Sequence, residues 1–288
     1  MAVSRRAVLW AAMAGGTLAG CGTAPSRTPV AATPTPRPGS AAPSPSATAD
    51  VVTREEVIAR YGRMRPTSWG FDAPGVLTEL PHSTERRLAL TFDACGGRGG
   101  SGYDARLIDV LRGHRTPATL FLNSRWIDAN PTAFRALAAD PLFELANHGT
   151  KHRPLSVTGR SAYGIPGTRS AGEVYDEVAG NQQKLTGLLG RPPRFFRSGT
   201  AYCDDVAVRI VSDLGERAVS FNVNGDGGAT FTPREVYETV IAAPAGSLII
   251  GHMNHPEGGT AEGMALALPR LLGTGHRFVR LSDAVSAR

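Results

Sequence analysis

From residue 88 onward the chain alternates short apolar, β-branched or aromatic runs with helical periodicity or loop, about seven times. The runs 88–93, 118–123, 143–147, 194–197, 218–223, 247–252 and 277–281 read as strands. The segments 103–112, 131–139, 171–189, 205–214, 233–242 and 261–272 read as helices. Most of the strand runs are uninterrupted apolar stretches, as expected where both faces of a sheet are covered. Parallel neighbours need a crossover between them, and here each crossover is helical. The pattern therefore predicts an α/β chain with about seven parallel strands curled into a distorted (β/α) barrel. An open, doubly wound sheet is the alternative topology. With 41% hydrophobic and 19% charged residues the chain can build the core that either requires.

A barrel of this kind gathers its chemistry at the C-terminal ends of its strands. The first run ends in Thr91-Phe92-Asp93, and the third leads into His148 and His152. The fourth ends in Phe196-Arg197, the fifth runs into Gly225-Asp226, and the sixth ends in Gly251-His252. Each has an ordinary structural reading: a satisfied loop acid, an internal ion pair, a glycine-rich turn, a packed imidazole. Together they form a reactive set. Two imidazoles four residues apart suit a divalent metal, zinc first. Such an ion would polarise a carbonyl and acidify water. Asp93 can then act as general base, with Arg197 keeping it ionised. His252 can protonate a leaving amine, held charged or oriented by Asp226. A backbone N–H near Gly199 and Thr200 can add an oxyanion donor. The predicted reaction is metal-assisted hydrolysis of an amide or ester.

Thr91-Phe92-Asp93, the segment 144–152, Arg194-Phe195-Phe196-Arg197 and Ile249-Ile250-Gly251-His252 resemble the ordered motifs of the polysaccharide deacetylase (NodB-homology) family. The resemblance spans about 88–281, and the segments 118–121 and 278–281 also fit that family's pattern. It implies removal of acetyl groups from polysaccharides such as peptidoglycan, chitin or xylan. By it, Asp93 is the base, His148 and His152 are metal ligands, Arg197 supports Asp93, and His252 is the acid. The sequence departs from the family at four points. Ala94 stands where the family has a second Asp, its third metal ligand. Gly149 replaces a Ser or Thr, Thr200 replaces a Tyr, and a Gly-Asp-Gly-Gly stretch containing Asp226 replaces an Asp-Trp pair. Asp93, Asp104 or water is left to complete the coordination, although Asp104 reads first as a helix N-cap. Cys95 and Cys203 follow the first and fourth strands, and an oxidising location predicts that they form a disulfide.

Residues 1–21 read as a signal peptide: Arg5 and Arg6 precede an apolar stretch too short to span a bilayer. Leu18-Ala19-Gly20-Cys21 resembles a bacterial lipobox, which makes Cys21 a lipid anchor on the extracytoplasmic face of the cell membrane. Residues 22–48, rich in Pro, Ala, Ser and Thr, form a tether. A lead-in segment, 49–87, opens with a capped helix after Thr53, and the catalytic domain is 88–288. The formal charge of +6 falls to +4 (6 − 2) without Arg5 and Arg6, which fits an anionic cell wall but not nucleic acid. The expected partner is a cell-wall polysaccharide, met by a monomer. Two alternatives remain open: a glycan-binding lipoprotein on a degenerate barrel, and a metal-dependent amidohydrolase acting on a non-sugar amide.

Overall fold

In the computed structural model, residues 52–285 are described. The signal peptide, Cys21 and the tether lie outside the described residues. The first elements are α1 (Arg54–Tyr61), β1 (Trp69–Gly70), β2 (Arg87–Ala94), α2 (Ala105–Gly113), β3 (Ala118–Leu122), α3 (Ser124–Ala129), α4 (Pro131–Ala138), β4 (Phe143–Asn147), α5 (Ala171–Leu189) and β5 (Phe195–Phe196). There follow β6 (Cys203–Asp204), α6 (Asp205–Asp213), β7 (Arg217–Ala218), β8 (Val223–Asn224), α7 (Pro233–Ile241), β9 (Leu248–His252), α8 (Thr260–Gly273), β10 (Arg277–Phe278) and α9 (Leu281–Ala284). Among the described residues no helix is long and apolar enough to cross a membrane.

The main sheet runs β7-β5-β4-β3-β2-β9-β8, with β10 beside the start of β2, and every pairing in it is parallel. These are seven strands of a curled, distorted barrel, as the alternation predicts. The run 218–223, expected as one strand, instead supplies both edges: β7 pairs with β5, and β8 pairs with β9. Between them the chain changes partners. Leu77 of the lead-in segment accepts from Ser220 N–H and donates to Ala218 C=O (2.8 and 2.9 Å). Glu79 bridges to Ser247. The lead-in segment thus fills the seam where the sheet's edges approach, a role the sequence did not assign.

Alternation along each strand sorts the core. Leu88, Leu90, Phe92 and Ala94 of β2 face outward, packing with residues of α2, α4, α7 and α8. Ala89 faces inward with Phe121, Ala146, Phe195, Leu248 and the lead-in residues Leu77 and Leu80. A side-chain period of two then puts Thr91 and Asp93 on that inner face too, and likewise His148 after Ala146, Arg197 after Phe195, and His252 after Leu248.

Helix ends follow local chemistry. Thr53 and Thr232 make capping boxes with Glu56 and Glu235, and α5 ends at Gly190 with φ 71°. Gly97-Arg98-Gly99-Gly100-Ser101-Gly102 has the glycine spacing of a dinucleotide-binding turn. Its groups are turned inward: Gly96 N–H donates to Gly100 C=O and Ser101 Oγ to Gly97 C=O. The Asp104 carboxylate occupies the N-terminus of α2, where a pyrophosphate would sit.

Candidate active site

Four strand ends converge. Asp93 and His252 are register partners on β2 and β9, and Met253 N–H donates to Asp93 C=O. Arg197, wholly buried, donates from Nη1 to Asp93 Oδ1 (2.7 Å) and from Nη2 to Thr91 Oγ1 and Ser220 C=O (2.8 Å each). Its guanidinium lies 4.2 Å from the centroid of the Phe121 ring. Burial alone would raise the Asp93 pKa, but Arg197, with His148 and His252, holds it below the usual carboxylate range.

His148 is fully buried at the end of β4. Its Nδ1 lies 2.9 Å from the carbonyl oxygen of Arg197, which can only accept. The proton therefore sits on Nδ1, and the Nε2 lone pair is free on the other side of the ring. Nε2 is 3.5 Å from Asp93 Oδ2 and 3.9 Å from Cys95 Sγ. The His152 ring stands edge-on to that of His148, centroids 4.9 Å apart. Burial lowers both imidazole pKa values, that of His152 to about 3, so both are neutral at ordinary pH. Neutral imidazoles with an open nitrogen are the form a metal needs.

The turn carrying them is tightly built. His152 takes φ 60°, and Gly199 packs so closely that a Cβ there would meet the His152 carbonyl carbon at 2.2 Å. Glu177 of α5 accepts from Lys151 and Arg153 N–H. Its carboxylate also explains Gly149, where φ is 73° and a Cβ would lie 2.5 Å from Glu177 Oε1. Burial raises the Glu177 carboxyl's pKa against the opposing pull of those N–H groups.

On the other side Asp226 holds His252. Its Oδ2 accepts from His252 N–H and Thr260 Oγ1, and its Oδ1 is 3.0 Å from His252 Nδ1. Burial alone would lower the His252 pKa, but the bond and charge of Asp226, with the charge of Asp93, together outweigh it and the net shift is upward. Asp226 is buried too, and His252 keeps its carboxyl below the usual range.

The structure brings together Asp93, His148, His152, Arg197, His252 and Asp226, with the pairings expected from the sequence. One alternative is decided and two expectations are corrected. Asp104 is the helix N-cap that its first reading expects, accepting from Leu107 N–H, and is not a ligand. Of the oxyanion donors expected near Gly199 and Thr200, the Gly199 N–H is bound to Arg153 C=O (3.3 Å) and is not open. Cys95 and Cys203 are both free thiols. Cys203 is buried in β6, packed with α1, α5 and α6 against Val57, Val178 and Val206. Cys95 lies one residue past β2, beside His148, where burial pushes its thiol pKa up. Sequence reasoning put Cys95 near the site but as half of a disulfide, not as a free thiol beside the metal pair, and it missed Glu177. The first had a signal, since 91, 93 and 95 share a strand face. The second had none, because α5 is distant along the chain.

Residues 81–219 match the family model described as polysaccharide deacetylase. Asp226 and His252 lie beyond that match and reach the site through the sheet. The chain is 23% identical over 216 residues to peptidoglycan-N-acetylglucosamine deacetylase of Bacillus cereus, covering 72% of this chain and 92% of that protein. It is 28% identical over 122 residues to peptidoglycan-N-acetylmuramic acid deacetylase PdaA of Bacillus subtilis, covering 40% and 41%. Among solved structures, a CE4 family pseudoenzyme from Bacillus anthracis superposes with TM-score 0.62 at 20% identity, covering 75% of this chain and 70% of that one. A peptidoglycan N-acetylglucosamine deacetylase superposes with TM-score 0.63 at 20% identity, covering 74% and 94%. With the fold, the order of the motifs and the family match in agreement, the chain carries a polysaccharide deacetylase (NodB-homology) domain.

Proposed function

We propose that this protein is a metal-dependent hydrolase that removes acetyl groups from amino sugars of a cell-envelope polysaccharide, peptidoglycan first. One observation carries the reading: Asp93, kept anionic by Arg197, is the register partner of His252, kept charged by Asp226. Base and acid stand on adjacent strands beside two neutral imidazoles that can hold a divalent ion, zinc by their chemistry. Such an ion, when bound, supplies Lewis acidity to an acetyl carbonyl and to water. Asp93 takes a proton from the attacking water on the carboxylate that Arg197 orients. His252 delivers a proton from Nε2 to the leaving amine, while Asp226 holds Nδ1–H. The acetylated nitrogen leaves as an amine and the acyl group as acetate.

A polymeric substrate is supported by a strip of rings reached within five residues of Arg197. The Tyr202 ring is tilted against Trp69 (centroids 5.8 Å apart) and meets the exposed Tyr163 and Phe71 edge-on at 5.5 and 6.0 Å. Such rings offer flat apolar faces to sugars. The export signal and the lipobox-like Cys21 support an extracytoplasmic, membrane-anchored enzyme beside its wall substrate.

A second reading is a glycan-binding protein on a degenerate site. Ala94, where the family carries a ligand, and the likeness to a pseudoenzyme favour it. Acetate release from wall fragments separates the two. The enzyme reading expects release that a chelator abolishes and zinc restores. In Asp93→Ala it falls by roughly 10²–10⁴-fold. No acetate from any acetylated glycan, with glycan binding intact, would favour the second.

A further inference from the structure

We propose that Cys95 is the third protein ligand of the metal site, making it a cysteine–histidine–histidine centre in place of one completed by a carboxylate. The inference rests on the metal-dependent reading above and names the donor that reading lacks. A ligand atom from each of Cys95, His148 and His152 falls within 4.8 Å of the other two. One ion can reach all three.

Strand phase explains the placement. Ala94 faces the helical layer, wholly buried with Leu122, Trp126 and Ile127. A carboxylate at 94 in this chain would point into that apolar layer. Cys95 follows Thr91 and Asp93 on the inner phase and arrives beside His148 Nε2. The chain then turns sharply at Gly96, φ 67°, where a Cβ would come within 2.6 Å of Trp126 N. That close approach ties Cys95 to the start of α3.

The competing donors fit the pair less well: Asp93 Oδ2 lies 3.5 Å from His148 Nε2 but does not join the group of ligand atoms within 4.8 Å of one another. Asp93 Oδ1 is held by Arg197, and Asp104 is spent on the α2 cap. The His148 tautomer leaves its lone pair on the side where Cys95 lies. A thiolate carries the same single negative charge as the carboxylate it would replace, so the charge of the ligand set is unchanged. Its softness differs. One sulfur and two imidazole nitrogens favour zinc or cobalt over magnesium, calcium or manganese.

Cobalt(II) titration of the full chain, followed by absorption, tests this. We expect visible ligand-field bands together with a near-ultraviolet sulfur-to-cobalt charge-transfer band. Cys95→Ala should lose the near-ultraviolet band. Its cobalt affinity should fall by more than the roughly 10–100-fold typical of an outer hydrogen-bonding partner. Cys95→Asp should regain affinity without regaining the band, and Cys203→Ala should leave both intact. Zinc should also slow alkylation of Cys95 but not of Cys203. Visible bands without the sulfur band, or a sulfur band that survives in Cys95→Ala, would overturn the assignment and leave the deacetylase reading standing. A wild-type sulfur band with no acetate released from any glycan would do the reverse. Failure of the wild type to bind cobalt at all would overturn the assignment.

Discussion

The two halves of the site use the same side chain to opposite ends. In one half, His148 and His152 have lost solvent, and His148 bonds only a neutral backbone carbonyl at Nδ1, so burial drives their pKa values down. In the other, His252 is also buried, but the Asp226 carboxylate sits at its Nδ1 and drives its pKa up. A carbonyl partner gives an imidazole with a free lone pair, fit to bind a cation. A carboxylate partner gives an imidazolium, fit to give up a proton. His148 and His252 are thus told apart by what each ring's Nδ1 touches.

Exchanging the halves gives the largest expected effects. His148→Ala should abolish both metal binding and turnover. His252→Ala should keep the metal, read by elemental analysis, and lose turnover by roughly 10²–10⁴-fold. Equal metal content in both variants, or loss from His252→Ala alone, would break the comparison.

Arg197→Ala comes next. It strands the Asp93 carboxylate in the barrel interior with its strongest partner gone, at a cost of about 3–5 kcal/mol of stability. Denaturant unfolding should show that loss. His148→Ala strands no charge and should cost less. A near-neutral Arg197→Ala would mean that His148 and His252 suffice to hold the carboxylate.

The smallest effect sharpens the comparison most. Asp226→Asn removes the charge that raises the His252 pKa, so His252 should lose its proton at lower pH. The alkaline limb of the pH–rate profile, where the charged acid is lost, should move toward acid. The acid limb, set by Asp93 and by protonation of the metal-side imidazoles, should stay in place. An alkaline limb unmoved in this variant would mean that His252 is not the acid that titrates there.

Much of this arrangement was readable along the chain, because strands and helices are announced by periods that any stretch carries alone. The predicted 143–147 strand and 171–189 helix match β4 and α5 residue for residue. His148, Arg197 and His252 were identifiable because strand ends in a parallel barrel share one rim. The 218–223 run was misread as one strand because partner exchange with Leu77 depends on a segment some 140 residues earlier, with no local mark. The disulfide expectation came from compartment and count, whereas bonding depends on where two side chains point.

Sequence alone determined the strand–helix alternation, the reactive residue types and their order, since these are properties of neighbours within a few positions. Tertiary structure alone decided which nitrogen of His148 is free, why Gly149 is required, and that Cys95 stands with the imidazoles while Cys203 packs in the core. Those outcomes depend on contacts between residues far apart in sequence, Arg197 with His148 and Glu177 with the 149–153 turn, and only closure of the barrel brings such partners within reach.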